Sequence, residues 1–510
     1  MGSLYIGENL LDSVAISYDT EDTPTNGSKK PLSSGGAFNV LTTKADLIDG
    51  KVPAGQLPKL GYSNEEILEN TTKAMYGLEE TAVPDDIFKI IAPVVMATIV
   101  VTAPTGSTIT ATNGERTITA NEVDGTWTLY VDKGTWTING QHNSEIDSTV
   151  VIVTDVKQYD IVLNFFHIYG VEWDGTSTTL WSRTDAAADF VNPSPAVNNG
   201  SGSSPFDNLL PWSGMVKETD RTAGVLVKIP KYWYKWTRSG STMKLQIADG
   251  PKDGFLVSPA HADRGDGMGE RDYVYVGRYH CISGYKSSAG AHPKTEITRN
   301  AARSGIHDLG STYWQYDFAM YWTIMMLYLV EYADWNSQNV IGYGCSPDGS
   351  KFNTGATDTM SYHTGTSAAN RTTYGSVQYR YIEGLWDNVL DWCDGIYFDG
   401  ATVYCIKNPA SFSDSSDGTN VGTRATSGGY ISGWTNPTVS GFEYALYPSE
   451  VSGSASTYVC DQCSYNVNGV VLIVGGDCDM DQIGGAFRLR GNNIATYSNV
   501  GVGCRLQKLP

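Results

Sequence analysis

The sequence is short of positive charge. It holds 35 Lys and Arg against 55 Asp and Glu, a formal net charge of −20. Such a surface repels a phosphate backbone, which argues against nucleic acid as a partner. Long apolar runs are also missing. The longest, FAMYWTIMMLYLV (Phe318 to Val330), has 13 residues. That is too short to cross a bilayer and predicts a buried helix, with no membrane insertion. No apolar h-region follows the start MGSLYIGENLLDSVAISYDTEDT, which predicts a protein made in the cytoplasm without a secretory signal. Histidines number seven, and His280, His292, His307 and His363 show no HxxxH or HxH spacing. Solvated or core-satisfied histidines are the expectation, and no cofactor is called for.

Cysteine is absent before Cys281. Eight follow: Cys281, Cys345, Cys393, Cys405, Cys460, Cys463, Cys478 and Cys504. Three readings stay open. They are buried free thiols, a disulfide permitted by extracellular exposure, or a zinc site of Cys460, Cys463, Cys478 and Cys504. What is abundant is Gly, at 55 residues, with 31 Tyr and 13 Trp. That mix favours short strands, tight turns and aromatic contact surfaces over long helices. A length of 510 residues predicts several domains.

Residues 1–92 offer too little apolar surface for a core of their own, and such a chain gains stability by wrapping copies of itself. Acidic first turns predict short helices near 64–76 and 84–91. The segments KADLIDGKVPAGQLP and AVPDDIFKIIA resemble stretches that recur in tail-fibre and other structural proteins of tailed bacteriophages. The resemblance implies a virion-attachment and trimerisation segment, a homotrimer, and other tail or baseplate proteins as partners.

Residues 93–165 alternate apolar and polar positions between Gly, Pro and Asn turns, as in VMATIVVTAP and GTWTLYVDKGTWTINGQ. The pattern predicts a small antiparallel β-sandwich, with a hairpin across Asp132-Lys133-Gly134. It resembles small Ig-like domains, for which the implied task is spacing. Trp127 and Trp136 could stack on sugar but are more usual as core residues.

Residues 166–510 read as one large unit. GVLVKIPKYWYKW and MKLQIADG predict strands paired as a hairpin across Arg238-Ser239-Gly240, with Tyr232, Tyr234 and Trp236 on one face and Trp233 on the other. Further strands are predicted in RDYVYVGRYHCISGYKS, GGYISGW, GFEYALYP, NGVVLIVGG and VGVGCRLQ, and helices near 296–305 and 314–334. IPKYWYKW, RDYVYVGRYH, LYLVEYADWNSQNVIGYG and the ending GGAFRLRGNNIATYSNVGVGCRL resemble the C-type lectin-like fold in its formylglycine-generating-enzyme variant. The ending is similar to the variable region of retroelement-diversified proteins, in which exposed side chains of this segment bind the ligand. That resemblance implies contacts by Asp477, Asp479, Asp481, Arg488, Arg490, Asn492, Asn493, Tyr497 and Ser498. Tyr supplies amphipathic area at low entropic cost, and Asn, Ser and Arg supply adaptable hydrogen bonds. The Gly484-Gly485 pair reads as a backbone requirement.

The expected fold class is therefore multidomain and β-rich α+β: an extended adaptor, an Ig-like β-sandwich and a C-type lectin-like unit. The expected function is a phage tail receptor-binding protein that recognises a bacterial surface glycan or protein without catalysis. The alternatives are a glycan depolymerase and a purely structural tail component. Asp253, Asp263, Asp266, Glu270, Asp391 and Asp394 are candidate acids, but nothing in the sequence singles out a pair.

Overall fold

The computed structural model describes residues 4–6, 9–11 and 96–510, except 143, 144, 164, 345–349, 436, 467, 469, 481 and 482. The helices expected near 64–76 and 84–91 lie outside the described residues. The chain divides into two units, Met1–Phe165 and Phe166–Pro510. Among the described residues both are β-rich, and helices are few. No described helix is long and apolar enough to cross a membrane.

In the first unit, Leu4–Ile6 pairs antiparallel with Asn9–Leu11. From residue 97 onward, two four-stranded sheets form a sandwich. One runs Gln158–Val162, Ala97–Thr102, Thr126–Val131, Glu122–Val123. The other runs Thr117–Ala120, Thr108–Thr112, Gly134–His142, Glu145–Val153. Alternation puts Ile99, Val101, Trp127 and Leu129 of one sheet against Ile109, Ala111, Trp136 and Ile138 of the other. Both tryptophans are buried core residues.

Two expectations are corrected here. Gln158–Val162 pairs parallel with Ala97–Thr102, so the sandwich is not wholly antiparallel. The strands flanking Asp132-Lys133-Gly134 lie in different sheets and do not pair. Gly134, at φ +150, turns the chain from one sheet to the other. Alternation fixes which side chains point inward, and a hairpin and a crossing between sheets share that pattern.

The second unit carries three larger sheets. One five-stranded sheet contains the Trp233–Ser239 and Thr242–Ala248 hairpin. A second runs Val216–Asp220, Gly224–Pro230, Tyr273–Gly277, Leu506–Lys508, Tyr313–Gln315. The largest runs Thr419–Thr423, Thr402–Cys405, Leu390–Asp399, Val471–Val474, Leu489–Asn493, Gln462–Tyr465, Gly429–Tyr430, and Val502–Gly503 adds alongside Leu390–Asp399. Chain-terminal residues thus lie inside two sheets.

Helix α1 (Arg299–His307) starts at the Thr298 cap, three residues later than its periodicity predicts. Helix α2 (Phe318–Tyr332) is buried at every residue. The helix expected from 314 begins only after Asp317, whose carboxylate accepts the Met320 N–H at 2.8 Å; Tyr313–Gln315 before it is a strand. Glu331 on α2 is buried, and the Arg380 guanidinium grips it at 2.6 and 2.8 Å. The strand expected over 271–287 is confined to Tyr273–Gly277, and that in GFEYALYP to Tyr447–Glu450.

His261 is fully buried. Its Nδ1 lies 2.7 Å from the Ser258 hydroxyl and its Nε2 lies 2.9 Å from the Ile229 carbonyl. Burial pushes its pKa down to about 4. The unfolded chain, with an ordinary imidazole near ~6.5, binds the proton first, so His261 destabilises the unit as pH falls from there toward 4, by up to about 3 kcal/mol. Wild type should therefore lose more stability between pH 7 and 4.5 than His261→Gln, in urea denaturation at each pH. Equal losses would exclude the imidazole as the source.

Candidate functional site

The C-terminal segment is held from beneath. Leu489–Asn493 runs parallel to Gln462–Tyr465 on one side and antiparallel to Val471–Val474 on the other. An interior strand has no free edge, so its position is fixed by both neighbours. Just before it, the buried Asp461 carboxylate accepts the backbone N–H of Gly485 at 2.7 Å and of Phe487 at 2.8 Å. Ser337 Oγ accepts the N–H of Ala486 at 2.9 Å. Three successive amides are thereby satisfied inside the protein. A Cβ on Gly485 would lie 2.5 and 2.8 Å from the two Asp461 oxygens, so this glycine exists for close approach.

The nine predicted contact residues separate into groups. Arg488 and Asn493 are buried. Arg488 donates to the Gln462 carbonyl at 2.8 Å and to Ser464 Oγ at 2.7 Å, and Asn493 donates to the Asn492 amide oxygen at 3.0 Å. Their side chains brace the sheet and do not face outward, contrary to expectation, because Arg488, just before the strand, is drawn onto Gln462 and Ser464 of the neighbouring strand, and Asn493 lies on the same buried face as Leu489. Asp477 is buried as well, with its Oδ1 accepting the Asp479 N–H at 3.1 Å. Burial raises its carboxyl pKa, and the neighbouring Asp479 adds to the rise. Asp481 lies outside the described residues.

Arg490, Asn492 and Tyr497 are half-buried and meet one another. The Arg490 guanidinium lies 5.3 Å from the centre of the Tyr497 ring. It also donates to the Tyr497 hydroxyl at 3.3 Å and the Asn492 amide oxygen at 3.2 Å. Asp479 and Ser498 are exposed. The structure therefore brings Arg490, Asn492 and Tyr497 together, and leaves Ser498 on the adjoining loop.

That loop, residues 494–500, is ordered by its backbone. Tyr497 N–H donates to the Ile494 carbonyl at 3.0 Å, and the Asn499 carbonyl accepts from Glu296 at 3.1 Å and Val502 at 3.1 Å. Thr496 and Asn499 are exposed, as are Ile494 at 54% and Val500 at 52%. Among the apolar residues of this stretch, Phe487, Leu489, Val502 and Leu506 are buried, whereas Ile494 and Val500 flank the polar loop on the surface. Their spacing carries no mark of this, because the chain leaves the strand at Asn493.

Cys281, Cys393, Cys405, Cys460, Cys463 and Cys504 are buried free thiols, Cys478 is buried as well, and Cys345 lies outside the described residues. Burial raises the Cys460, Cys463 and Cys478 thiols. No group of three or more metal-ligating side chains occurs among the described residues, so Cys460, Cys463, Cys478 and Cys504 are not gathered at one point. The candidate acids Asp391 and Asp394 are buried and bound by arginines: Asp391 by Arg505 at 3.0 Å and Asp394 by Arg303 at 2.6 Å. No protein-family model matches the chain, and no curated protein matches it significantly.

Proposed function

We propose that this protein is a phage tail receptor-binding protein that grips a bacterial surface ligand through residues 490–500 without chemistry. The observation that carries the reading is a polar, aromatic and apolar surface loop mounted on a strand clamped from below. Arg490 stacked on Tyr497, beside Asn492, Ile494 and Ser498, offers hydrogen-bond donors and acceptors, an aromatic ring and apolar area on a rigid base. Rigid aromatic and Arg anchors of this kind dominate binding energy where they are used. The same separation of buried support (484–489) from displayed loop (494–500) suits a segment whose surface residues are exchanged by a retroelement while its core residues stay fixed.

In this reading, residues 166–510 form the C-type lectin-like head, the sandwich is an Ig-like spacer, and residues 1–92 attach the protein to the tail and trimerise it. Many copies on one virion would convert weak single contacts into firm attachment. The test is flow cytometry of labelled full-length protein on a panel of bacterial strains. Changing Arg490, Asn492, Ile494, Tyr497 and Ser498 together to Ala should weaken binding at least about 30-fold, the equivalent of one hot-spot residue. Undiminished binding by a correctly melting variant would move the recognition face elsewhere. Shortening of a surface glycan by the purified protein would replace the binder with a depolymerase.

A further inference from the structure

Two cysteines far apart in the chain meet in the core of the large unit. Cys281 comes shortly after the Tyr273–Gly277 strand, and Cys504 directly follows Val502–Gly503, just past the displayed loop. They stand 504 − 281 = 223 positions apart. Both are fully buried, in one apolar cluster with Leu226, Ile306, Trp392 and Val502.

The backbone sets them side by side. The Cys281 N–H donates to the Cys504 carbonyl at 2.8 Å, and the Cys281 carbonyl accepts the Lys294 N–H at 2.7 Å. With the first bond at that length, covalent geometry holds the two Cα atoms within about 6.7 Å of each other. Disulfides span Cα separations of about 4.4–6.8 Å. The side chains also meet: the Cys281 and Cys504 thiols share a hydrogen bond. That bond and burial together hold the Cys504 thiol well above its ordinary range, so it stays protonated and unreactive while the unit is closed.

We infer that Cys281 and Cys504 are a disulfide site, joined when the unit closes in an oxidising medium. The oxidant is a small-molecule disulfide such as oxidised glutathione. One cysteine thiolate attacks a glutathione sulfur, and the first glutathione thiolate leaves. The other cysteine thiolate attacks the protein sulfur of that mixed disulfide, and the second glutathione thiolate leaves. The two cysteine protons go to the departing glutathiones, so two protein thiols are oxidised and one glutathione disulfide is reduced. Both steps precede closure of the last strand, because the closed site has no room for glutathione. Closure then shields the bond from reductants, whereas a chain closed in a reducing cytoplasm keeps its thiols. The bond ties the chain just past the displayed loop to the segment after Tyr273–Gly277, one residue before Arg505. It requires only an oxidising medium, so the inference stands or falls independently of the function proposed above.

The test uses full-length protein produced in parallel in cells with a reducing and with an oxidising cytoplasm. Each sample then closes in its own medium. Free thiols are blocked in denaturant without reductant, and the chain is cut with trypsin. Cys281 falls in the peptide Tyr279–Lys286 and Cys504 in Gly491–Arg505, each with a single cysteine. Mass spectrometry of the oxidised sample should find these two peptides linked, and of the reduced sample should find them apart. The oxidised protein should melt about 3–6 °C higher than the reduced protein, since a cross-link over so long a loop narrows the unfolded ensemble. Cys281→Ala should melt at the same temperature from both kinds of cell. Recovery of both peptides with blocked thiols from the oxidised sample would overturn the inference. So would linkage of either peptide to a different cysteine. A rise that persists in Cys281→Ala would overturn the stabilising role of this bond.

Discussion

Arg505→Met is expected to destabilise the large unit by about 3–5 kcal/mol, the usual penalty for leaving one partner of a buried ion pair alone. Arg505 is wholly buried next to the last strand, Leu506–Lys508. Its guanidinium meets the Asp391 carboxylate at 3.0 Å and donates to the carbonyls of Gly277, Arg278, Glu383 and Gly384 at 2.8 to 3.2 Å. One side chain thus ties together three segments far apart in sequence. Burial alone would raise the Asp391 carboxyl, but His280 and Arg505 overcome it and hold the group below the usual carboxylate range. Methionine fills similar volume, supplies no donors and leaves Asp391 to His280 alone. Trp fluorescence reports this unit well, because eleven of the thirteen tryptophans lie beyond residue 166. The melting temperature should fall by roughly 4–7 °C. Adding Asp391→Asn should recover part of the loss, since the orphaned charge is then gone. A fall within about 1 °C would mean that the network contributes almost nothing net, as some buried ion pairs do.

The second large effect is expected at Asp461. Asp461→Asn is nearly isosteric, yet it replaces one acceptor oxygen by an amide NH₂ that must face the N–H of Gly485 or Phe487. Leaving a buried amide unpaired costs about 1–3 kcal/mol, and the opposed donors add to that. The expected readouts are a lower melting temperature and faster hydrogen exchange at residues 485–487. Ligand binding by the 490–500 loop should fall with them, although the substitution touches none of the proposed contacts. Unchanged exchange at 485–487 would show that the clamp is not what orders the segment. Burial lifts the Asp461 carboxyl to about 7, against the pull of the two amides and Arg488. Its folded-state pKa is raised, so the stability tied to it is present at low pH and falls as pH rises from about 4 toward 7. This opposes His261 over the same range, and only variant-against-wild-type comparisons separate the two.

Much of the fold was legible in the sequence. The all-round apolar run at 318–330 marks a helix buried on every side, and α2 is one. Alternation in the Tyr232–Trp236 stretch assigns its two faces, and the hairpin expected across Arg238-Ser239-Gly240 is real, although Arg238 and Ser239 still pair and the turn itself is Gly240-Ser241. What was not legible depended on partners distant in sequence. Arg488 reads as a surface contact because nothing local shows that Gln462 and Ser464 will stand beside it.

The placement of Leu506–Lys508 between Tyr273–Gly277 and Tyr313–Gln315 also sets a clock. The first strand of the unit begins at Ile168, 508 − 168 = 340 residues before the strand that completes its neighbouring sheet is finished. At a synthesis rate of ~5–20 residues per second, that is roughly 20–70 s of waiting. For roughly the second half of it, after Tyr332, the apolar surface of α2 has been made but the Arg505 tie has not. A nascent chain of this kind leaves that surface without its closing contacts until the last strand is made. Ribosomes that stall shortly before residue 505 would release chains that cannot close, whatever the quality of the preceding 300 or so residues.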